Sequence, residues 1–215
     1  MNNICVIFDL DGTLVDSEGL CNQAFLDLLP QLNDTVESLI QRYHGKKLAL
    51  ILADLESRLS QKLPDTFELQ YRQHVAELFS RELKPMPSVV EMLEATTSPK
   101  CIASSGPPSK IRQALQVSGL SSYFGSRVFS SYEVGSWKPE PGLFLYAAKE
   151  MGFMPSQCVV VEDSEVGIEA AAAAGMKAFH YVRNSETLPC TIGDEVSFDN
   201  MLELPKLLAH FAINT

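Results

Sequence analysis

The chain has 215 residues, 46% hydrophobic and 20% charged, values of a globular protein that exclude a disordered or fibrous one. A formal net charge of −10 argues against a nucleic-acid surface and means that an anionic substrate must be met by locally placed cations. No apolar run reaches membrane-spanning length, residues 4–8 are too short for a secretory core, and five cysteines without CxxC spacing read as reduced thiols, so a cytoplasmic protein that binds neither membrane nor nucleic acid is expected, as a monomer.

Ile4–Phe8 is an apolar run that reads as a buried strand and leads straight into Asp9, Leu10, Asp11, Gly12 and Thr13. From Asp16 to about Lys84 only helical spacing appears. Phe67, Tyr71, Val75, Leu78, Phe79 and Leu83 mark one helical face, Asp34 followed by Glu37 resembles a helix start, and Gly45 resembles a stop. The stretch is too long for an ordinary crossover. It reads as a helical bundle, residues 16–85, inserted into a core formed by residues 1–15 and 86–215, with Asp16–Gly19 and Lys84–Pro87 as the connections.

Beyond it, strand and helix alternate. Helices are expected at Met86–Thr96, Ser109–Val117, Gly142–Met151 and Ser164–Ala174, the last closed by Gly175. Strands are expected at Cys101–Ala103, Arg127–Ser130, Cys158–Val161 and Ala178–Val182. That alternation specifies an α/β fold, a parallel sheet with helices on both faces. Cys5, Cys101 and Cys158 lie inside apolar runs and read as core residues.

Ligands of such a sheet bind beyond the carboxyl ends of its strands. The residues delivered there are Asp9 and Asp11, then Ser104, Ser105 and Gly106, then Glu162 and Asp163, with Lys138 in the loop after the strand at 127. Crowded carboxylates must be neutralised, and Asp9, Asp11 and Asp163, with Glu162 beside them, are hard oxygen donors that suit Mg²⁺. Gly12 permits a turn that lifts Asp11 and presents its backbone carbonyl, and Thr13, Ser104, Ser105, Gly106 and Lys138 suit a phosphate. These parts fit one reaction. Asp9 attacks phosphorus to give an aspartyl-phosphate, Asp11 protonates the leaving alcohol and then deprotonates water, and Mg²⁺ and Lys138 balance charge.

The sequence resembles the haloacid dehalogenase-like hydrolases along essentially its whole length. "DLDGT" resembles their first motif, with Asp9 at the nucleophile and Asp11 at the acid/base; "IASSG" the second, through Ser104; "WKPEP" the third, through Lys138; and "VVVEDSEVGIEAA" the fourth, through Glu162 and Asp163. The resemblance implies a three-layer Rossmann-like core, Mg²⁺ dependence and a helical cap placed as in the β-phosphoglucomutase-like branch. Asp11 departs from true dehalogenases and from phosphonatases, which lack that second acid. Cys21 stands where the mutases carry a histidine. "DSEGLCNQAF", "SSGPPSK" and "WKPEPGLFLYAAKEMGF" resemble bacterial sugar-phosphate phosphatases, the 6-phosphogluconate phosphatase type first.

A phosphatase of small phosphorylated metabolites is therefore expected. A phosphomutase is the rival of the same class, and a phospho-accepting receiver module the rival of another class. In the cap, "QRYHGKKLAL" sets Arg42, His44, Lys46 and Lys47 around Gly45. It reads either as a solvated helix–helix turn or as the loop whose Lys47, with Lys46 beside it, meets the distal end of the substrate on closure.

Overall fold

A computed structural model describes residues 4–183 and 196–213. Six parallel strands among these residues form one sheet, β1 (Cys5–Phe8), β2 (Lys100–Ser104), β3 (Val128–Ser130), β4 (Cys158–Glu162), β5 (Lys177–Tyr181) and β6 (Val196–Phe198), in the order β3-β2-β1-β4-β5-β6. Strands covered on both faces need apolar residues at every position, which is why β1 reads CVIF and β4 begins CVVV. Val6 and Phe8 face one apolar cluster with Ile102, Val159 and Val161, while Cys5 and Ile7 face a second with Cys101, Cys158 and Val160. The register pairs Cys5 with Cys158 and Ile7 with Cys101. The expected three-layer α/β core is present, and the three thiols are core residues, fully buried.

Between β1 and β2 lie α1 (Glu18–Leu28), α2 (Val36–Tyr43), α3 (Leu48–Leu59), α4 (Phe67–Glu82) and α5 (Val89–Ala95). After β2 come α6 (Pro108–Val117), α7 (Ser121–Phe124), α8 (Ser131–Val134) following β3, α9 (Gly142–Met151), α10 (Glu165–Ala173) following β4, and α11 (Leu204–Ile213). Helices α1 to α4 make the helical insertion, held by Phe25 stacked on Tyr71 at 4.2 Å and set edgewise to Tyr43 at 6.2 Å. No helix of the described residues is long and apolar enough to cross a membrane.

The two chain connections to the insertion run side by side. Asp16 N–H donates to Lys84 O (3.0 Å) and Met86 N–H to Leu14 O (2.9 Å), around a bridge between Val15 and Pro85. The first connection is shorter than expected, since Gly19 already lies in α1. Helix α2 also starts one residue later than the Asp34–Glu37 pattern. Thr35 and Ser38 exchange the capping bonds, and the Asp34 carboxylate instead pairs with Arg58. Strand β6 has three residues, too few to show a period.

Candidate active site

The site forms at β1, where the strand order reverses between β2 and β4. Asp9 N–H donates to Val161 O (2.9 Å), so the ladder carries one residue past β1 and fixes Asp9 beside the end of β4. Gly12 then turns the chain at φ +82°, and a Cβ there would lie 2.1 Å from Asp163 Oδ2. Only glycine supplies both the backbone angle and the room for that acid.

Lys138, 7% exposed, reaches in from the loop after α8 and donates to both Asp9 Oδ1 and Glu162 Oε1. The other Glu162 oxygen accepts from Ser164 N–H (2.7 Å) and Ser164 Oγ (2.8 Å), and Ser164 Oγ itself accepts from Gly167 N–H at the start of α10. Thr13 is fully buried and donates to Asp163 Oδ1 (2.8 Å), so its hydroxyl supports an acid rather than facing open space. His44, from the loop after α2, lies 3.1 Å from Asp163 Oδ2.

One ammonium therefore serves a crowd of acids. Burial pushes the Asp9 carboxyl well above its ordinary range. Lys138 opposes this, while the charges of Glu162, Asp163 and Asp11 reinforce it. Burial also raises Asp163, against the hydrogen bond from His44. Glu162 is held below its usual range, because Lys138 and Ser164 outweigh the cost of its burial. Carboxylate oxygens of Asp9, Glu162 and Asp163 lie within 4.8 Å of one another. Hard donors that repel each other at this spacing fit a divalent cation.

Asp11 is separate from that cluster. Its Oδ1 accepts from Ser17 Oγ (2.6 Å) and Lys110 Nζ (2.8 Å), and these contacts override burial to keep the carboxyl below its ordinary range. At the end of β2, Ser104 Oγ accepts from Gly106 N–H (3.1 Å), and Ser130 Oγ pins the Gly106 carbonyl (2.7 Å).

These groups floor a single cavity of about 710 Å³ lined by Asp9, Asp11, Ser104, Ser105, Gly106, Lys138, Glu162 and Asp163, and roofed from the insertion by His44, Gly45, Lys46, Lys47, Tyr71 and Arg72. Gly45 (φ +71°) brings the roof close, since a Cβ there would sit 3.1 Å from Val166 Cγ2 on α10. Lys47 Nζ lies 5.5 Å from the Trp137 ring centre.

Sequence reasoning did not single out Lys110, Ser17, Asn22 or Arg72, and it read Ser164 only as the start of a helix, where the structure has it capping α10. Lys110 ends the quoted stretch "SSGPPSK", but a partner 99 positions away leaves no local pattern. Asn22 is 7% exposed and lines the cavity, and its Oδ1 accepts no hydrogen bond among the described residues.

The sequence profile of the haloacid dehalogenase-like hydrolases matches residues 5–175. A 6-phosphogluconate phosphatase of Escherichia coli is 33% identical over 205 residues, covering 94% of this chain and 93% of its own. A solved haloacid dehalogenase-like protein of Agrobacterium tumefaciens superposes with a TM-score of 0.83 at 32% identity, covering 97% of this chain and 98% of the other. A family hydrolase of Deinococcus radiodurans, solved with bound phosphate and sodium, superposes with a TM-score of 0.79 at 26% identity, covering 99% and 98%.

Proposed function

The chain belongs to the haloacid dehalogenase-like hydrolases and is a phosphoric monoester hydrolase, and from that premise we propose that it is a Mg²⁺-dependent phosphatase of sugar phosphates, phosphosugar acids first, acting through an aspartyl-phosphate on Asp9. The observation that carries this reading is convergence. Asp9, Ser104, Lys138 and Asp163, spread over 155 positions, line one cavity at the carboxyl edge of the sheet.

The phosphate is received by donors with a proton to spare. Lys138 has three N–H groups, two of them committed to Asp9 and Glu162. The third, and the hydroxyl proton of Ser104, are left for phosphate oxygens. An Asp9 oxygen then bonds phosphorus as the ester bond breaks, and Asp11 gives its proton to the leaving alkoxide. Asp11 next takes a proton from the water that releases inorganic phosphate. Its pairing with Lys110 and Ser17 favours the ionised form, so acting first as an acid requires Lys110 to let go when substrate arrives.

Asp9, Asp163 and the backbone carbonyl of Asp11 would hold the metal. Both Glu162 oxygens are committed to Lys138 and Ser164, which makes Glu162 the residue that orients Lys138. The metal, when bound, supplies positive charge against the transferring phosphoryl group.

The buried acceptor on Asn22 supports a hydroxylated substrate, because a substrate O–H would satisfy it. Similarity to the Escherichia coli 6-phosphogluconate phosphatase supports a sugar acid, and Lys47, with Lys46, supplies cations for its distal end.

The test is release of inorganic phosphate from a panel of phosphorylated metabolites with Mg²⁺, with sugar isomers followed in the same reactions. Multiple turnovers without isomer support the phosphatase. Accumulating isomer would indicate a mutase, and stoichiometric labelling without turnover a receiver.

A further inference from the structure

Away from the buried acids, the same cavity is crossed by a contact that the chemistry above does not use. Arg72, on α4 of the insertion, donates from Nε and Nη2 to Glu68 Oε1 (2.9 and 2.7 Å). Its Nη2 also reaches Tyr132 Oη on α8 of the core at 2.9 Å, with the guanidinium 5.8 Å from the centre of that ring. Tyr132 stands edge-on to Trp137 at 5.6 Å, and Trp137 carries Lys47 Nζ at 5.5 Å. An aromatic corner of the core is thus flanked by two cations of the insertion, all of them lining the cavity.

Hydrogen-bond capacity is left over at this corner. A guanidinium has five N–H donors, and no bond from Nη1 is formed among the described residues. The Tyr132 hydroxyl accepts from Arg72, and its own proton finds no acceptor among them. Both unspent groups are donors. Charge points the same way. Lys138 and Lys110 are paired with acids at the cavity floor, whereas at the aromatic corner Arg72 pairs with Glu68 and Lys47 pairs with no acid among the described residues, leaving a surplus positive charge there. Donors plus surplus positive charge match a carboxylate better than a neutral hydroxymethyl group.

We propose that Arg72 and Tyr132 form the subsite for the carboxylate at the distal end of a phosphorylated sugar acid, with Arg72 Nη1 and the Tyr132 hydroxyl as its donors. The proposal rests on the phosphatase reading and names the substrate feature that this site selects. Arg72 makes and breaks no bond in the reaction; it determines specificity. Glu68 holds the Nε edge of the guanidinium and so orients the Nη1 end.

The experiment compares kcat/KM for 6-phosphogluconate and for glucitol 6-phosphate, which has the same length but ends in a hydroxymethyl group, in wild type, Arg72→Met, Arg72→Lys and Tyr132→Phe. Loss of one charge-assisted hydrogen-bonding group predicts that the preference for the acid falls about 30-fold in Arg72→Met, carried by KM, and about fivefold in Tyr132→Phe. Arg72→Lys, which keeps the charge and loses the fork, retains part of the preference. An equal loss on both substrates would make Arg72 a structural strut and overturn the proposal, as would a wild type that does not prefer the acid. Should Arg72→Met misfold by circular dichroism, Tyr132→Phe carries the same comparison. An aryl phosphate run alongside reports the chemistry itself, so a wild type inert toward every ester counts against the phosphatase reading. In that event, calorimetric binding of 6-phosphogluconate to wild type and Tyr132→Phe decides the subsite alone, and equal affinities would refute it.

Discussion

Replacing Gly167 by alanine should destabilise the protein even though the position lies inside α10, where alanine normally gains about 1 kcal/mol over glycine. The reason is one neighbour. A Cβ on residue 167 would lie 2.0 Å from Glu162 Cδ and 2.1 Å from its Oε1, far inside contact distance. Glu162 has nowhere to go, being 1% exposed with one oxygen on Lys138 and the other on Ser164. Overpacking costs about 1–3 kcal/mol, and breaking a charge-assisted bond of Glu162 costs roughly 1.5–3 more. Less the helix gain of about 1, the net loss is about 1.5–5 kcal/mol. At this chain length each kcal/mol is roughly 2–4 °C, so a central value near 3 kcal/mol lowers Tm by about 6–12 °C. Scanning calorimetry of Gly167→Ala against wild type measures it. Gly19→Ala is the control, since Gly19 also lies in a helix and a Cβ there meets nothing within 4 Å; it should leave Tm level or raise it. A Tm for Gly167→Ala at or above wild type would refute the claim that Glu162 is pinned.

Asp9→Asn should abolish turnover while leaving the circular dichroism spectrum intact, and residual turnover above about 1% would count against covalent catalysis there. Burial and neighbouring acids raise the Asp9 pKa above its unfolded value, so ionised Asp9 destabilises the metal-free fold at neutral pH, and that penalty fades as pH falls through the raised value. Metal-free wild type should accordingly gain Tm on acidification from pH 7, a gain that is reduced in Asp9→Asn; denaturation curves with chelator present check the difference. Lys138→Met strands two buried carboxylates and should cost about 3–5 kcal/mol in urea unfolding, with a cost under about 1 kcal/mol contradicting the shared-cation picture. The His44 pKa is raised to about 9 by its hydrogen bond to Asp163, so its contribution to stability is complete below about pH 6.5 and lost as pH rises through 9. That slope should be shallow, the side chain being 39% exposed, and absent from His44→Gln in chelator. Lys47→Ala should raise KM for an acidic sugar phosphate more than for a neutral-ended one, and equal effects would remove Lys47 from the distal end.

The sheet was legible because burial on both faces forces unbroken apolar runs, and those runs mark β1, β2, β4 and β5 to within a residue or two. The acids were legible because each follows such a run, and Lys138 because it lies in the loop beyond the strand at 127, so strand ends and one loop assemble the floor of the cavity. The roof was not. Arg72 occupies one turn of an amphipathic helix and looks like any solvated arginine; only the three-dimensional approach of α4 to α8 gives it Tyr132 as a partner. Thr13 shows the same limit at short range, since its place in the turn suggested the phosphate, and its orientation, fixed by the turn at Gly12, gives its hydroxyl to Asp163. The start of α2 was misjudged by one residue because Asp34 and Thr35 are both good caps, and the distant Arg58 takes Asp34.

The paired connections at Leu14–Met86 and Asp16–Lys84 make the insertion a hinged panel, not a strand of the weave. Both of its ends leave the core at one narrow seam, a few residues past Asp9. Any helical bundle whose termini meet at that spacing could be spliced onto the seam without redrawing the sheet or shifting the acids. The insertion's share of substrate preference, Arg72 and Lys47, can then be exchanged while the acids and the core's own Tyr132 stay in place, and a chimaera carrying a relative's panel should shift toward that relative's selectivity.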